Sequence, residues 1–453
     1  MSTLNALFEA RSVAIVGASD NPHKLGGRPV AYMKRLGYKG KIIPVNPTSK
    51  MVQGLPAIAS LADLKEPVDL AVLATPEAMV EGIVKTGLDN GIKNFVVFAS
   101  GYAEIDEQGL AKQRQLEALF EGTDARLLGP NCLGFINTKT QLIASFTTAM
   151  EANPLKLGRL SFAGHSGALG AYWLDKTIRA DIGVSKWISS GNESNVDIAN
   201  IVEYLANDPD TQVISLYIEA IRNPARFEEA LTLAKQNNKI VVALKGGKTA
   251  AGARATQAHT ASNTLNGVDY KTIFNRTGVI EVDSLSEMIK QCQYGLSGLT
   301  LKGNRVGVIS ISGGAGVMLS DQLTANGLNV NDFSASLRDL VRPLLSPHST
   351  TQNPVDLTAA MVAQPTMLGD VATTMIESNE YDALVIFMGL MDSIADSITR
   401  SLLALDKSVD CPVFLIWMGG KAECIKQLSK TNIIVFDDIP ELVSLIARSK
   451  PGC

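Results

Sequence analysis

Histidine and cysteine are scarce in this 453-residue chain, and its charges nearly cancel. The five cysteines, Cys132, Cys292, Cys411, Cys424 and Cys453, are odd in number and form no C-x-x-C pair. That excludes a disulfide framework or zinc ribbon and points to a reduced cytoplasm. The four histidines, His23, His165, His259 and His348, have no metal-ligand spacing to one another, so no metal site is expected in this chain. A net charge of −4 lacks the basic excess that nucleic-acid binding usually needs. No apolar run reaches the ~18 residues that span a bilayer. The opening, MSTLNALFEARSVAIVG, has neither the basic start nor the long apolar core of a secretory leader. A cytoplasmic protein without membrane or nucleic-acid partners is expected.

What is abundant is small and apolar: 46% of residues are hydrophobic and 38 are glycine. At ~150 residues per domain, the length implies about three domains. Short β-branched runs alternate with amphipathic stretches along the whole chain, the pattern of α/β folds with parallel sheets and crossover helices. The first set is Val13–Val16, Ile42–Val45, Leu70–Ala74, Phe95–Phe98 and Arg126–Leu128, each running into a turn of small or polar residues. Residues 137–158 lose the alternation and read as a crossover or linker. The second set is Leu160–Ala163, Val213–Ile218, Ile240–Leu244 and Val279–Val282. The third begins at Val306 and continues near Ala383–Met388, Val413–Trp417 and Ile433–Phe436. Sets two and three open alike, with a strand, a Ser/Gly turn and a helix start. The expected architecture is a Rossmann-like domain (1–136) followed by two flavodoxin-like domains (155–296 and 303–453).

The first glycine turn, Val13-Ala-Ile-Val-Gly-Ala-Ser-Asp, follows a buried strand and offers backbone N–H groups and a helix start to a phosphate. It is not a dinucleotide turn, because G-x-G-x-x-G is absent. The second strand ends in Val45-Asn46-Pro47, where an NAD enzyme places an acid for the ribose hydroxyls. Missing that acid suits a nucleotide with a phosphorylated ribose, and coenzyme A is one. Two more turns, Ala99-Ser100-Gly101-Tyr102 and Gly129-Pro130-Asn131-Cys132-Leu133-Gly134, also follow strands and should open on the same sheet edge.

Together, V-G-A-S, V-N-P, A-S-G-Y and G-P-N-C-L-G resemble the CoA-binding domain of succinyl-CoA synthetase α subunits. They resemble the ADP-forming (NDP-forming) acetyl-CoA synthetases still more closely, and G-P-N-C-x-G is the most distinctive piece. The resemblance implies that Gly17, Ser19, Lys24, Asn46, Ala99 and Ser100 lie along CoA, with Asn131 near its thiol end. Lys24 and Arg28 are the cations available to its phosphates.

The segment Lys245–Thr260 follows a strong strand and reads as a small-residue loop, with Lys245, Lys248 and Arg254 adding positive charge. A single imidazole in such a loop, His259, has the chemistry of a phosphoryl shuttle, since a neutral imidazole is nucleophilic. A lone loop histidine is more often an ordinary surface residue. The family's phosphohistidine loop tips the balance, because it has glycine, alanine, arginine and then A/S-H-T in this order. Glu219, in Tyr-Ile-Glu-Ala, matches the family glutamate that contacts the active histidine. Gly164-His165-Ser166-Gly167-Ala168-Leu169 resembles the family's S-x-S-G-x-L turn, so Ser166, Gly167 and Ala168 are the implied phosphate cradle. His165 stands where the family more often has arginine or glutamine and reads as incidental. Ser189-Ser190-Gly191-Asn192-Glu193 is a candidate contributor to the acyl pocket. In the third set, Ser312-Gly313-Gly314-Ala315-Gly316 and Asn353-Pro354-Val355-Asp356-Leu357 match the accessory domain of the longer enzymes.

The resemblance implies the α-type component of an ADP-forming acyl-CoA synthetase: acetate or a related carboxylate, CoA and ATP give acyl-CoA, ADP and phosphate through a phosphohistidine. ATP/ADP and Mg²⁺ belong to an ATP-grasp partner, either a β subunit or a C-terminal half absent from this sequence, and an oligomer is expected. The rivals are a dicarboxylate (succinate-type) ligase and a non-catalytic CoA- or acyl-CoA-sensing module. The acid substrate and the choice of ATP or GTP are not written in the residues above.

Overall fold

The computed structural model of the chain describes residues 4–260, 269–405 and 410–450, with side chains for all of these except 257–260. It divides into two compact units, Met1–Met288 and Ile289–Cys453. Three large sheets organise them, two in the first unit and one in the second, and Met51–Val52 pairs with Leu55–Pro56 in a small two-stranded ribbon of the first unit.

The first sheet is parallel: β1 (Ser12–Val16), β2 (Lys41–Val45), β3 (Leu70–Leu73), β4 (Asn94–Val97) and β5 (Arg126–Leu128) lie in the order β2-β1-β3-β4-β5. The chain runs outward in both directions from β1, and the crevice at that switch lies beyond the carboxyl ends of β1 and β3. Gly17 sits there with φ +81°, and a Cβ on it would stand 2.5 Å from the Ala74 carbonyl oxygen. Only glycine satisfies both demands. The burial of β3 and β4 at every position explains their unbroken apolar runs, as expected for strands covered on both faces.

The second sheet has seven strands: β6 (Gly134–Asn137), β7 (Leu142–Ser145), β8 (Leu157–Gly164), β9 (Val184–Ser189), β10 (Val213–Ile218), β11 (Ile240–Lys245) and β12 (Ile280–Val282). Their order is β12-β11-β10-β8-β9-β6-β7, parallel from β12 to β9 and antiparallel at β6 and β7. Residues 137–158 therefore do not form a bare linker. Gly134–Ser145 is a hairpin whose first strand pairs with β9, continuing the second sheet past its parallel part. Segment 245–260 differs from expectation too: Ala250–Thr260 is a helix. Its alanines favour helix strongly, and the Thr249 hydroxyl accepts from the Gly252 amide at 3.0 Å to start it.

The second unit carries one parallel sheet: β13 (Val306–Ser310), β14 (Val355–Asp356), β15 (Ala383–Met388), β16 (Val413–Trp417) and β17 (Ile434–Phe436), in the order β14-β13-β15-β16-β17. Helices cover both faces. One core gathers around Ile309, Ile386 and Leu415, and the other around Val308, Val385 and Phe414, the alternation that a doubly covered strand imposes.

Candidate active site

Four parallel strands of the second sheet end on one edge, and ionisable side chains gather at or just beyond their ends. After β8 come His165 and Ser166, and after β9 the loop to Glu193. Glu219 follows β10, and β11 ends in Lys245. Ser166 caps the helix Gly167–Arg179, its hydroxyl accepting from the Leu169 amide at 3.3 Å. The first turn of that helix has no acidic side chain, so its N–H groups and dipole face outward without a competing anion. Ser166, Gly167 and Ala168 thus occupy the position an anion cradle needs.

Behind the cradle lies a buried ion pair. His165 Nε2 is 3.1 Å from Glu193 Oε1, with the side chains only 4% and 1% exposed. Ser190 Oγ donates to the same carboxylate oxygen at 3.0 Å, and Arg222 Nε stands 3.6 Å from the other. Burial alone would push both groups toward their neutral forms. Mutual attraction outweighs it: Glu193, helped by Glu219, raises the pKa of His165, while His165 and Arg222 lower that of Glu193. Glu219 is buried as well, and its backbone amide lies 3.4 Å from His165 Nδ1. Its carbonyl accepts from Lys245 Nζ at 2.9 Å. Burial lowers the pKa of Lys245, opposed by the charge of Glu219. Lys248 is engaged by Glu281 at 2.5 Å and Asp283 at 2.8 Å, so the charge of that one cation is matched. His259 falls in the last turn of Ala250–Thr260, and its side chain lies outside the described residues.

The proposed CoA turns sit on the first sheet's carboxyl edge. Asn46 Nδ2 donates to the Ala18 carbonyl at 2.8 Å, and its Oδ1 accepts from the amides of Thr48 (2.9 Å) and Ser49 (3.0 Å). Its side chain therefore holds the Gly17–Ser19 turn against the end of β2. Ser19 Oγ accepts from the Asn21 amide at 3.2 Å. Lys24 is exposed, while Arg28 is paired with Glu151 at 3.0 Å. The Ala99 carbonyl accepts from the Asn131 amide at 2.8 Å, which ties Ala99–Ser100 to the G-P-N-C-L-G loop. Cys132 in that loop is buried and its thiol is pushed up to about 12 by burial, so it is no nucleophile.

The two sheets meet at this loop. Asn131 Nδ2 donates to Asn192 Oδ1 at 3.1 Å, the Asn192 amide to the Pro130 carbonyl at 2.9 Å, and the Leu133 amide to Ser189 Oγ at 3.3 Å. A Cβ on Gly167 would lie 2.5 Å from Leu133 Cγ, so the cradle helix starts directly against the loop. The loop that resembles the CoA thiol contact and the anion cradle are therefore neighbours in one compact unit. Sequence reasoning missed the pairing of His165 with Glu193 and the part of Arg222. Twenty-eight positions separate His165 from Glu193 in the numbering, and only the adjacency of β8 and β9 joins them. The signal available was an imidazole and a carboxylate each placed just after a strand.

Known proteins are similar to this chain in sequence and fold. Residues 11–138 match the family model of a CoA binding domain, 157–294 that of a succinyl-CoA ligase like flavodoxin domain, and 306–392 that of a Ligase-CoA domain. The α subunit of the ADP-forming acetate–CoA ligase II of Pyrococcus furiosus is 32% identical, over 98% of this chain and 96% of its own length. The dinucleotide-forming acetyl-coenzyme A synthetase 1 of Ca. Korarchaeum cryptofilum, solved with phosphate and ADP, superposes with a TM-score of 0.88 at 26% identity, covering 99% of this chain and 96% of its own. A solved structure from Pyrococcus horikoshii is 29% identical with a TM-score of 0.82, covering 98% of each chain. In the described residues no helix is long and apolar enough to cross a membrane. The α/β fold with a CoA-binding domain and flavodoxin-like domains, and an identity above 30% across nearly the full length, place the chain in the ADP-forming acetate–CoA ligase family, as an acid–thiol ligase chain of the α-subunit type.

Proposed function

We propose that this chain is the CoA-binding, phosphoryl-carrying component of an ADP-forming acyl-CoA synthetase acting on acetate or a related carboxylate. In the forward direction His259 takes the γ-phosphoryl group of ATP, releasing ADP. The carboxylate then attacks the phosphohistidine to give acyl phosphate and free His259. The CoA thiolate attacks the acyl carbon, and inorganic phosphate leaves. The covalent carrier lets a nucleotide site and a thiol site share one activated group.

The observation that carries this reading is the junction of the Asn131 loop with the Ser166–Ala168 cradle beside Glu219. Thiol, acyl group and phosphate can meet there without crossing the protein. Glu219 would fix the His259 tautomer and steady its positive charge when phosphorylated, as carboxylates do for metal-bound and catalytic imidazoles. Gly17, Ser19, Lys24, Asn46, Ala99 and Ser100 would hold CoA, with Lys24 the exposed cation for its phosphates. Nucleotide and Mg²⁺ fall to an ATP-grasp partner. Two relatives support that division. The Pyrococcus furiosus match is named a subunit, and this chain covers only 48% of the ADP-forming acetate–CoA ligase of Methanocaldococcus jannaschii.

The test supplies an ATP-grasp β subunit, Mg²⁺ and γ-labelled ATP, and looks for acid-labile label on this chain. Label that disappears in His259→Ala and is discharged by acetate supports the carrier. Wild type that binds CoA but never takes label would make the chain a CoA sensor instead.

A further inference from the structure

His165 reads from sequence as incidental, yet it is buried at the strand edge together with Glu193 and Glu219. Its two ring nitrogens face different structures. Nε2 meets Glu193 at 3.1 Å. Nδ1 lies 3.3 Å from the Tyr217 carbonyl and 3.4 Å from the Glu219 amide. These two backbone groups flank Ile218, at the end of β10. A doubly protonated ring donates from Nδ1 to the Tyr217 carbonyl, whereas a ring protonated only at Nε2 accepts there from the Glu219 amide. The charge state of His165 therefore selects which backbone group beside Glu219 is held. The His165 amide also donates to the Tyr217 carbonyl at 3.3 Å, and the next residue is the cradle cap, Ser166.

We infer that His165 is a positioning residue for phosphoryl transfer: as an imidazolium paired with Glu193, it fixes the chain at Glu219 and places a buried positive charge behind the Ser166–Ala168 cradle. The inference deepens the phosphoryl-carrier reading and rests on it. The groups facing the ring are Glu193 after β9, Tyr217 and Glu219 on and after β10, and Arg222 just beyond; Lys245, at the end of β11, holds the Glu219 carbonyl. The carboxylates favour the charged ring, and Arg222 touches it only through Glu193. The raised pKa of His165 agrees with that balance.

The sign follows. Neutral His259 is the better nucleophile, so transfer rises as His259 loses its proton. Transfer then falls at higher pH as His165 loses its own, giving a bell.

The experiment labels the chain, alone and with an ATP-grasp β subunit, from acetyl-CoA and radiolabelled inorganic phosphate across pH, a direction that needs no nucleotide. In wild type the label should fall on the alkaline side. His165→Gln should lower labelling about tenfold at the optimum, the scale of one lost charge-assisted contact, and remove the alkaline limb. Glu193→Gln should move that limb to lower pH. Imidazole NMR, with His165 assigned by its absence from His165→Gln, should show the wild-type ring doubly protonated above the ordinary histidine range and the Glu193→Gln ring neutral earlier. A His165→Gln profile with the wild-type alkaline limb, or a wild-type ring that loses its proton at or below the ordinary histidine range, overturns this role and leaves the carrier standing. Wild type that takes no label at any pH, with or without the partner, overturns the carrier reading and this role with it.

Discussion

The turn after β8 in the first unit and the turn after β13 in the second are built on the same hydrogen bonds. The amide of His165 donates to Tyr217 on the adjacent β10, and the amide of Ile311 donates to Phe387 on the adjacent β15, both at 3.3 Å. On the other side, Ser190 donates to the Gly164 carbonyl and Leu357 to the Ser310 carbonyl, both at 2.9 Å. Ser166 and Ser312 cap the two following helices, accepting from Leu169 and Ala315. Matched in this way, His165 corresponds to Ile311, Glu219 to Gly389 and Glu193 to Ala360. The backbone device is common to both units, whereas the second unit has no ionisable side chain at the positions matching His165, Glu219 and Glu193. Asp356 Oδ2 would even lie 3.2 Å from a Cβ on Gly313, placing an anion where a phosphate would need to approach. A strand–Ser/Gly–helix turn is thus a scaffold, and the residues after its neighbouring strands decide whether it does chemistry.

The largest expected effect tests that statement directly. Glu219→Gln should reduce acyl-CoA formation by about 100-fold or more, the range of a lost acid–base or orienting group, while Gly389→Ala leaves kcat unchanged in the same assay. Equal losses would end the distinction. Next, the double change Ile311→His with Gly389→Glu should confer no acid-labile label on the second unit. It should cost about 1–3 kcal/mol in urea unfolding, because Ile311 packs against both cores of that unit. Serine removal should separate the caps more finely. Ser166→Ala and Ser312→Ala should each cost about 1 kcal/mol of stability, but only Ser166→Ala should raise the KM for phosphate in the reverse reaction.

The smallest effect is a pH dependence of stability in the first unit alone. The raised His165 pKa means that its contribution is complete below the unfolded value and is lost as pH rises through the folded one. The lowered Glu193 pKa means that its contribution is present above the unfolded value and is lost as pH falls through the folded one. Unfolding followed by Trp173 and Trp187 fluorescence in Trp417→Phe should show maximal stability between these limits. Glu193→Gln should flatten the curve.

Much of the scaffold is legible in the sequence because buried parallel strands need uninterrupted β-branched runs, and Val213–Ile218 and Ala383–Met388 fall where those runs are. The hairpin Gly134–Ser145 is not legible. Its strands are four residues each and lack the contrast with their flanks that periodicity needs. The helix Ala250–Thr260 was hidden by Gly252 and the Gly246-Gly247 pair before it, which read as loop although the alanines hold helix. Lys186 inside Val184–Ser189 looks like a half-exposed position, yet it is buried and paired with Asp208 at 3.1 Å. Of the candidate site, the cradle turn and the Asn131 loop were legible as turns after strands. Their contact, and the His165–Glu193 pair, depend on which strands become neighbours, and no local pattern states that.

The seam between the Asn131 loop and the strand edge has an engineering consequence. A Cβ on Gly191 would stand 2.3 Å from the Pro130 carbonyl oxygen, and the amides of Asn192, Ser194 and Val196 stitch that segment to Pro130, Gly129 and Leu127. A cut made at the end of the first sheet would therefore pass through the contacts that join the Asn131 loop to the second sheet. A chimera that exchanges the CoA-binding domain of one relative for another must carry residues 129–145 and 189–196 as a single cassette. Inherited separately, two well-folded parents would yield a well-folded but silent child.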